Sequence, residues 1–193
     1  MKNIILIFNV IIFFSCNGNI KKDYFEVIKG KRTLFEKNND KTYYKISLKG
    51  NNDLLLYPIN VSNYSEEEKL QMIKELLAFK DDFRICNNPV TNYNPSLSQI
   101  YRGGKKDYSI QLEALFLINQ IFFDNPFNYS PMPILINNKT KVEETIKGKT
   151  IEEAYKEYEK WFYKIEKTGI KNALENKMYP LSESGTSWIY SIR

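Results

Sequence analysis

The order of apolar and polar residues changes period several times along this chain. Over 42–49 it alternates: Tyr44, Ile46 and Leu48 fall on one side, and Lys45, Ser47 and Lys49 on the other. A period of two belongs to a half-buried strand. Gly50-Asn51-Asn52-Asp53 supplies turn residues, and Leu54-Leu55-Leu56-Tyr57 returns before Pro58. The pattern predicts a hairpin with a four-residue loop. Segments 24–28 and 32–35 have the composition of strands lying beside it.

At Ser65 the period lengthens. Ser65-Glu66-Glu67-Glu68 predicts a helix start: Ser65 and Glu68 make a capping box, and the acids suit the positive end of the helix dipole. Leu70, Ile73 and Leu77 then share a face, with Leu76 adjacent. Residues 80–108 read as irregular, with Pro89, Pro95 and Gly103-Gly104. Over 109–123 almost no polar face is left, and a helix apolar all round is a central, buried one. Asp124-Asn125-Pro126 stops it.

Segment 131–136, with prolines at its start, predicts an edge strand. Thr150-Ile151-Glu152-Glu153 reads as a second capping box. The helix it opens carries Ile151, Ala154, Tyr155, Tyr158, Phe162 and Ile165 at helical spacing, with Gly169 as the residue past its end. Ile170, Ala173, Leu174 and Met178 mark a short helix ended by Pro180, and 187–192 alternates like a strand. No repeat of fixed period is present. The expected fold class is α+β, with three or four helices around a central apolar helix and a small antiparallel β-sheet.

The first residues follow a different rule. One lysine, Lys2, precedes a mostly apolar run over 4–14, and Ser15-Cys16 closes it. That run is too short to cross a bilayer, which needs roughly 20 apolar residues. Charge, apolar run and small residue are the three parts of a secretory signal. Phe13-Phe14-Ser15-Cys16 resembles the lipobox of bacterial lipoproteins, with Phe13 where that family usually has leucine. The resemblance covers residues 1–16. It implies a signal peptide over 1–15, thioether-linked diacylglycerol on Cys16, palmitate in the lipid, and a mature chain that starts at that cysteine. Asn17 stands where inner-membrane retention in enteric lipoproteins uses aspartate, so the implied address is the outer membrane. Residues 16–22 then form a lipid-anchored tether, and 23–193 a single globular domain.

Composition narrows the chemistry. The chain has 42% hydrophobic and 26% charged residues, a globular balance. Its net charge of +5 is spread without a basic block, so nucleic acid is not an expected partner. It contains no histidine. That removes Ser-His-Asp and Cys-His catalysis and His-ligated zinc. With Cys16 carrying lipid, Cys86 has no disulfide partner and reads as a small buried hydrophobe. No cofactor and no metal site is expected.

Few side chains stand out as sites. Glu113 sits inside the apolar helix, where a carboxylate must be paired, exposed or protonated. It is the one catalytic candidate, as a general acid. The preferred reading is a structural carboxylate that bonds a neighbouring side chain or backbone amide, helping to hold segment 80–108. Asn119 and Gln120 fit that same reading. Asp81-Asp82 reads as a solvated helix end, since no ladder of oxygen ligands accompanies it. The loop Tyr101-Arg102-Gly103-Gly104-Lys105-Lys106-Asp107-Tyr108 lacks the nucleotide-loop pattern. If a binding surface exists here, Tyr101, Arg102, Lys105, Lys106 and Tyr108 are its candidates, because Arg and Tyr are favoured anchors. Trp161 and Trp188 read as core residues rather than a sugar platform.

The expected function is a membrane-anchored envelope lipoprotein that binds a protein partner without catalysis, such as an immunity or inhibitor protein. The alternatives are a structural part of an outer-membrane assembly and a carboxylate-dependent envelope glycan hydrolase.

Overall fold

A computed structural model describes residues 23–30, 41–50, 59–87, 90 and 106–191. Within them the chain runs β1 (Phe25–Gly30), β2 (Tyr43–Leu48), α1 (Glu66–Leu77), α2 (Ile110–Phe122), α3 (Pro126–Tyr129), β3 (Leu135–Asn137), β4 (Glu143–Glu144), α4 (Lys149–Thr168), α5 (Ile170–Glu175) and β5 (Thr186–Trp188). It is an α+β fold with two small antiparallel sheets, one of order β1-β2 and one of order β4-β3-β5.

The core is built on α2. Every one of its residues is buried, and α1 and α4 pack against it. A buried helix end must place its orphan N–H groups somewhere. Ser109 offers no side-chain cap. Instead the Ile110 and Gln111 amides donate to the carbonyls of Arg84 and Asp82, at 2.9 and 3.0 Å. The irregular segment after α1 therefore serves as the cap for the central helix. Gln111 reinforces the junction: its Oε1 accepts from the Asp81 amide and its Nε2 donates to Ile146 O.

Helix α1 forms where its capping box predicts. Ser65 Oγ accepts from the Glu68 amide at 3.2 Å, and Glu68 Oε2 accepts from the Ser65 amide at 3.0 Å. The second expected box is corrected. Helix α4 starts at Lys149 with Gly148 as its N-cap, so Thr150 lies inside the first turn. Glu144, on β4, reaches over instead: its Oε2 accepts from Thr150 and Ile151 amides at 2.8 and 3.1 Å. Gly148 has φ +150°, and a Cβ there would overlap the Glu144 carboxylate. Glu144→Ala is expected to cost about 1–2 kcal/mol, the range for losing a helix cap. A urea midpoint unchanged from wild type would show that water serves those amides equally well.

Three further expectations are adjusted. Segment 131–136 holds the central strand of its sheet, not an edge. Pro131 and Pro133 precede β3, so every strand residue keeps its N–H and β4 and β5 flank it on both sides. Strand β2 pairs with β1, Phe25 opposite Leu48; the expected return strand at 54–57 and the candidate strand at 32–35 lie outside the described residues. Helix α5 ends at Glu175, before Met178 and Pro180, with Asn176 as its C-cap. Gly169, at φ +84°, closes α4 as expected, and its lack of a side chain lets Glu66 Oε1 reach the Ile170 amide at 2.8 Å. The tail forms β5, shorter than 187–192, and Tyr190 at φ +57° turns the chain away.

Candidate functional site

Most of the loop singled out from sequence, including Tyr101, Arg102 and Lys105, lies outside the described residues, as does Cys16. Lys106 and Tyr108 are placed. Lys106 forms an ion pair with Glu143, and its backbone bridges Val90. Tyr108 is buried in the core, and its carbonyl accepts from the Cys86 amide at 2.8 Å. This end of the loop is stitched into the fold beside α2. Cys86 itself is fully buried.

Glu113 is 2% exposed. Its Oε2 accepts from the Ile46 amide on β2 at 3.2 Å. That amide points away from β1, and the carboxylate takes the place of a neighbouring strand. The carboxylate thus ties α2 to β2, where segment 80–108 was the expected partner. Gln120, seven residues on, falls on the same helix face. Its amide is buried, and among the described residues nothing bonds its Oε1 or Nε2. Asn119 faces α4: its Oδ1 accepts from Tyr158 OH at 2.8 Å, and Trp188 Nε1 donates to that same hydroxyl at 2.9 Å. Burial holds Tyr158 and Tyr155 well above the ordinary tyrosine range, so both stay neutral.

Asp82 bonds Arg84 through two pairs of atoms, at 2.9 and 2.5 Å, and Asp81 stands at φ +65° where α1 has ended. Among the described residues no group of three or more Asp, Glu or Cys side chains could hold a metal ion, and no helix is long and apolar enough to cross a membrane.

An open groove of 770 Å³ lies between α4 and the turn after α5. Trp161, Tyr163, Lys160, Lys164, Tyr179 and Glu183 line it. Trp161 belongs to the core: its Nε1 donates to Met178 O at 2.8 Å and its ring meets Phe122 edge-on. Tyr163 is 62% exposed, with the Lys167 ammonium 3.9 Å from its ring centre and bonded to its hydroxyl. Lys160 pairs with Glu157 at 2.7 Å. Mixed charge around an exposed aromatic suits weak recognition of another surface. Sequence reasoning passed over this groove, because its two walls, 157–164 and 176–183, each read as an ordinary helix face or turn.

No family model, no curated protein and no solved structure matches the chain.

Proposed function

We propose that this chain is a lipid-tethered protein of the bacterial envelope, held at the outer membrane through Cys16, that acts by binding a protein partner. The observation that carries the reading is the N-terminal order: a short apolar run, Ser15-Cys16, then the mostly polar Asn17-Gly18-Asn19-Ile20-Lys21-Lys22. The start of the folded domain suits a tether. Glu75 on α1 accepts from the Tyr24 and Phe25 amides at 2.7 and 2.8 Å, so the start of β1 is clamped to α1. Tyr24 lies eight residue steps beyond Cys16, a reach of at most about 28 Å. The domain therefore works close to the membrane surface. Binding is favoured over hydrolysis because Glu113 is engaged with a backbone amide and Asp82 with Arg84.

Cys16→Ala is expected to abolish palmitate labelling and move the protein from the membrane to the soluble fraction. Labelling that persists in the variant would sink the lipoprotein reading. The partner half is checked by cross-linking wild-type membranes and identifying the adduct by mass spectrometry. Adducts containing a different polypeptide support it; no adduct, or self-adducts alone, remove it.

A further inference from the structure

The outer edge of β1 carries the inference. The Lys49 amide donates to Tyr24 O at 2.8 Å, which sets the alternation of the β1–β2 ladder. Glu26, Ile28 and Gly30 then turn their backbone groups towards β2, as Tyr24 does its carbonyl, and Phe25, Val27 and Lys29 turn theirs outward. The partners of β2 obey the same alternation. The outward amides of Tyr44 and Ile46 are taken by Ile85 O and by Glu113. On β1 the first outward amide, that of Phe25, is taken by Glu75. Among the described residues nothing bonds the outward N–H and C=O of Val27 and Lys29. A row of open backbone groups on an edge strand is a template for another strand.

We propose that this edge pairs antiparallel with the same edge of a second copy of the chain, with Ile28 on the two-fold axis. The register is self-matching. Val27 lies opposite Lys29 of the other copy and exchanges both backbone bonds with it, and the symmetric pair does the same. The four outward N–H groups left open in the two copies, those of Val27 and Lys29, are then satisfied. Ile28 faces its own equivalent in the close, non-hydrogen-bonded position, an apolar pair. Glu26 faces Gly30 and Lys29 faces Val27, so no two like charges lie directly opposite. The interface is isologous and closes at two copies. A peptide from another protein would have to bring this complementarity with it; the second copy already has it. The pairing does not depend on lipid at Cys16, although tethering to one surface would raise the local concentration.

Cysteine placement tests it on the full chain in the envelope. In the close antiparallel position the Cα atoms are about 4.5 Å apart, within disulfide range. Ile28→Cys is expected to give a disulfide-linked dimer on non-reducing gels. Glu26→Cys, opposite a glycine, is expected to stay monomeric. Lys29→Pro removes only an outward N–H, a place where an edge strand tolerates proline. Placed on the Ile28→Cys background, it is expected to lower the dimer about tenfold or more through two lost hydrogen bonds, while Lys29→Thr does not. Three results would overturn the proposal. One is Ile28→Cys that folds, by circular dichroism, and stays monomeric. Another is Glu26→Cys cross-linking as well as Ile28→Cys. The third is Val27 and Lys29 amides protected from exchange equally at all protein concentrations, which assigns the edge to another segment of the same chain. Cross-linking of Ile28→Cys to a different polypeptide instead assigns it to a partner strand.

Discussion

Glu113→Ala is expected to destabilise the domain by about 3 kcal/mol, because it leaves the buried Ile46 amide without its acceptor and opens a void beside α2. At about 2–4 °C per kcal/mol for a domain of this size, the melting temperature should fall by roughly 6–12 °C. The physical asymmetry is what makes the effect large. A net hydrogen bond is worth about 1 kcal/mol, but a buried donor left unpaired bears its whole desolvation cost. Glu113→Gln keeps an oxygen at the same place and should lose about a third as much. Calorimetry on the pair separates two roles for this carboxylate. If Glu113→Ala melts within about 1 °C of wild type, the side chain is not holding β2. It would then stand again as a candidate general acid.

Tyr158→Phe comes next, at about 3 kcal/mol, from deleting a single oxygen. The hydroxyl stands between two buried groups, accepting from Trp188 Nε1 and donating to Asn119 Oδ1. Asn119 Nδ2 has no partner among the described residues, so the variant leaves its whole amide unbonded. Phenylalanine fills nearly the same volume, which keeps the loss polar rather than steric. The same burial predicts alkaline sensitivity. Below about pH 10 both Tyr155 and Tyr158 hold their protons whether the chain is folded or unfolded. Above it the unfolded chain releases them while burial keeps them on the folded one, so stability falls as pH rises. Each tyrosine contributes about 1.4 kcal/mol per pH unit to that slope. Urea midpoints between about pH 9 and pH 12 should show the slope cut by about half in Tyr158→Phe. An identical slope in both proteins would mean that Tyr158 ionises as easily folded as unfolded.

Local pattern carried far where one element was enough to decide the outcome. The capping box at Ser65 needs only four consecutive residues, and both of its bonds form. The apolar run over 109–123 leaves no polar face, so burial on all sides is its one stable setting. Gly169 ends α4 because a residue at φ +84° strongly favours glycine. Pattern misled where a distant residue supplied the missing partner. Thr150 could cap α4, but the helix starts earlier, at Lys149, and Glu144 arrives from β4 with a charged acceptor for the first-turn amides of Thr150 and Ile151. Pro131 and Pro133 pointed to an edge, yet they stop short of β3 and leave its hydrogen bonds intact.

The candidate sites divide the same way. That Glu113 needed a partner was legible, since a carboxylate among apolar residues cannot stay bare. Which amide it would hold was not, because Ile46 is 67 residues away. The groove beside Tyr163 and the open edge at Val27 and Lys29 carry no sequence signal at all. The first is a space between two elements. The second is a direction of backbone groups, set by which neighbour β1 acquires.

By itself, then, the sequence determined the identity of the central helix, the start of α1, the end of α4, the absence of histidine chemistry and the lipobox-like N-terminus. Each rests on residues close together in the chain, where spacing alone brings groups into reach. Only the tertiary structure decided that β2 pairs with β1, that Glu75, Glu144 and Glu66 cap other elements, and that Tyr158 joins α2 to β5. Those outcomes depend on hydrogen bonds and burial between segments far apart in sequence. Their geometry exists only once the chain has closed around α2.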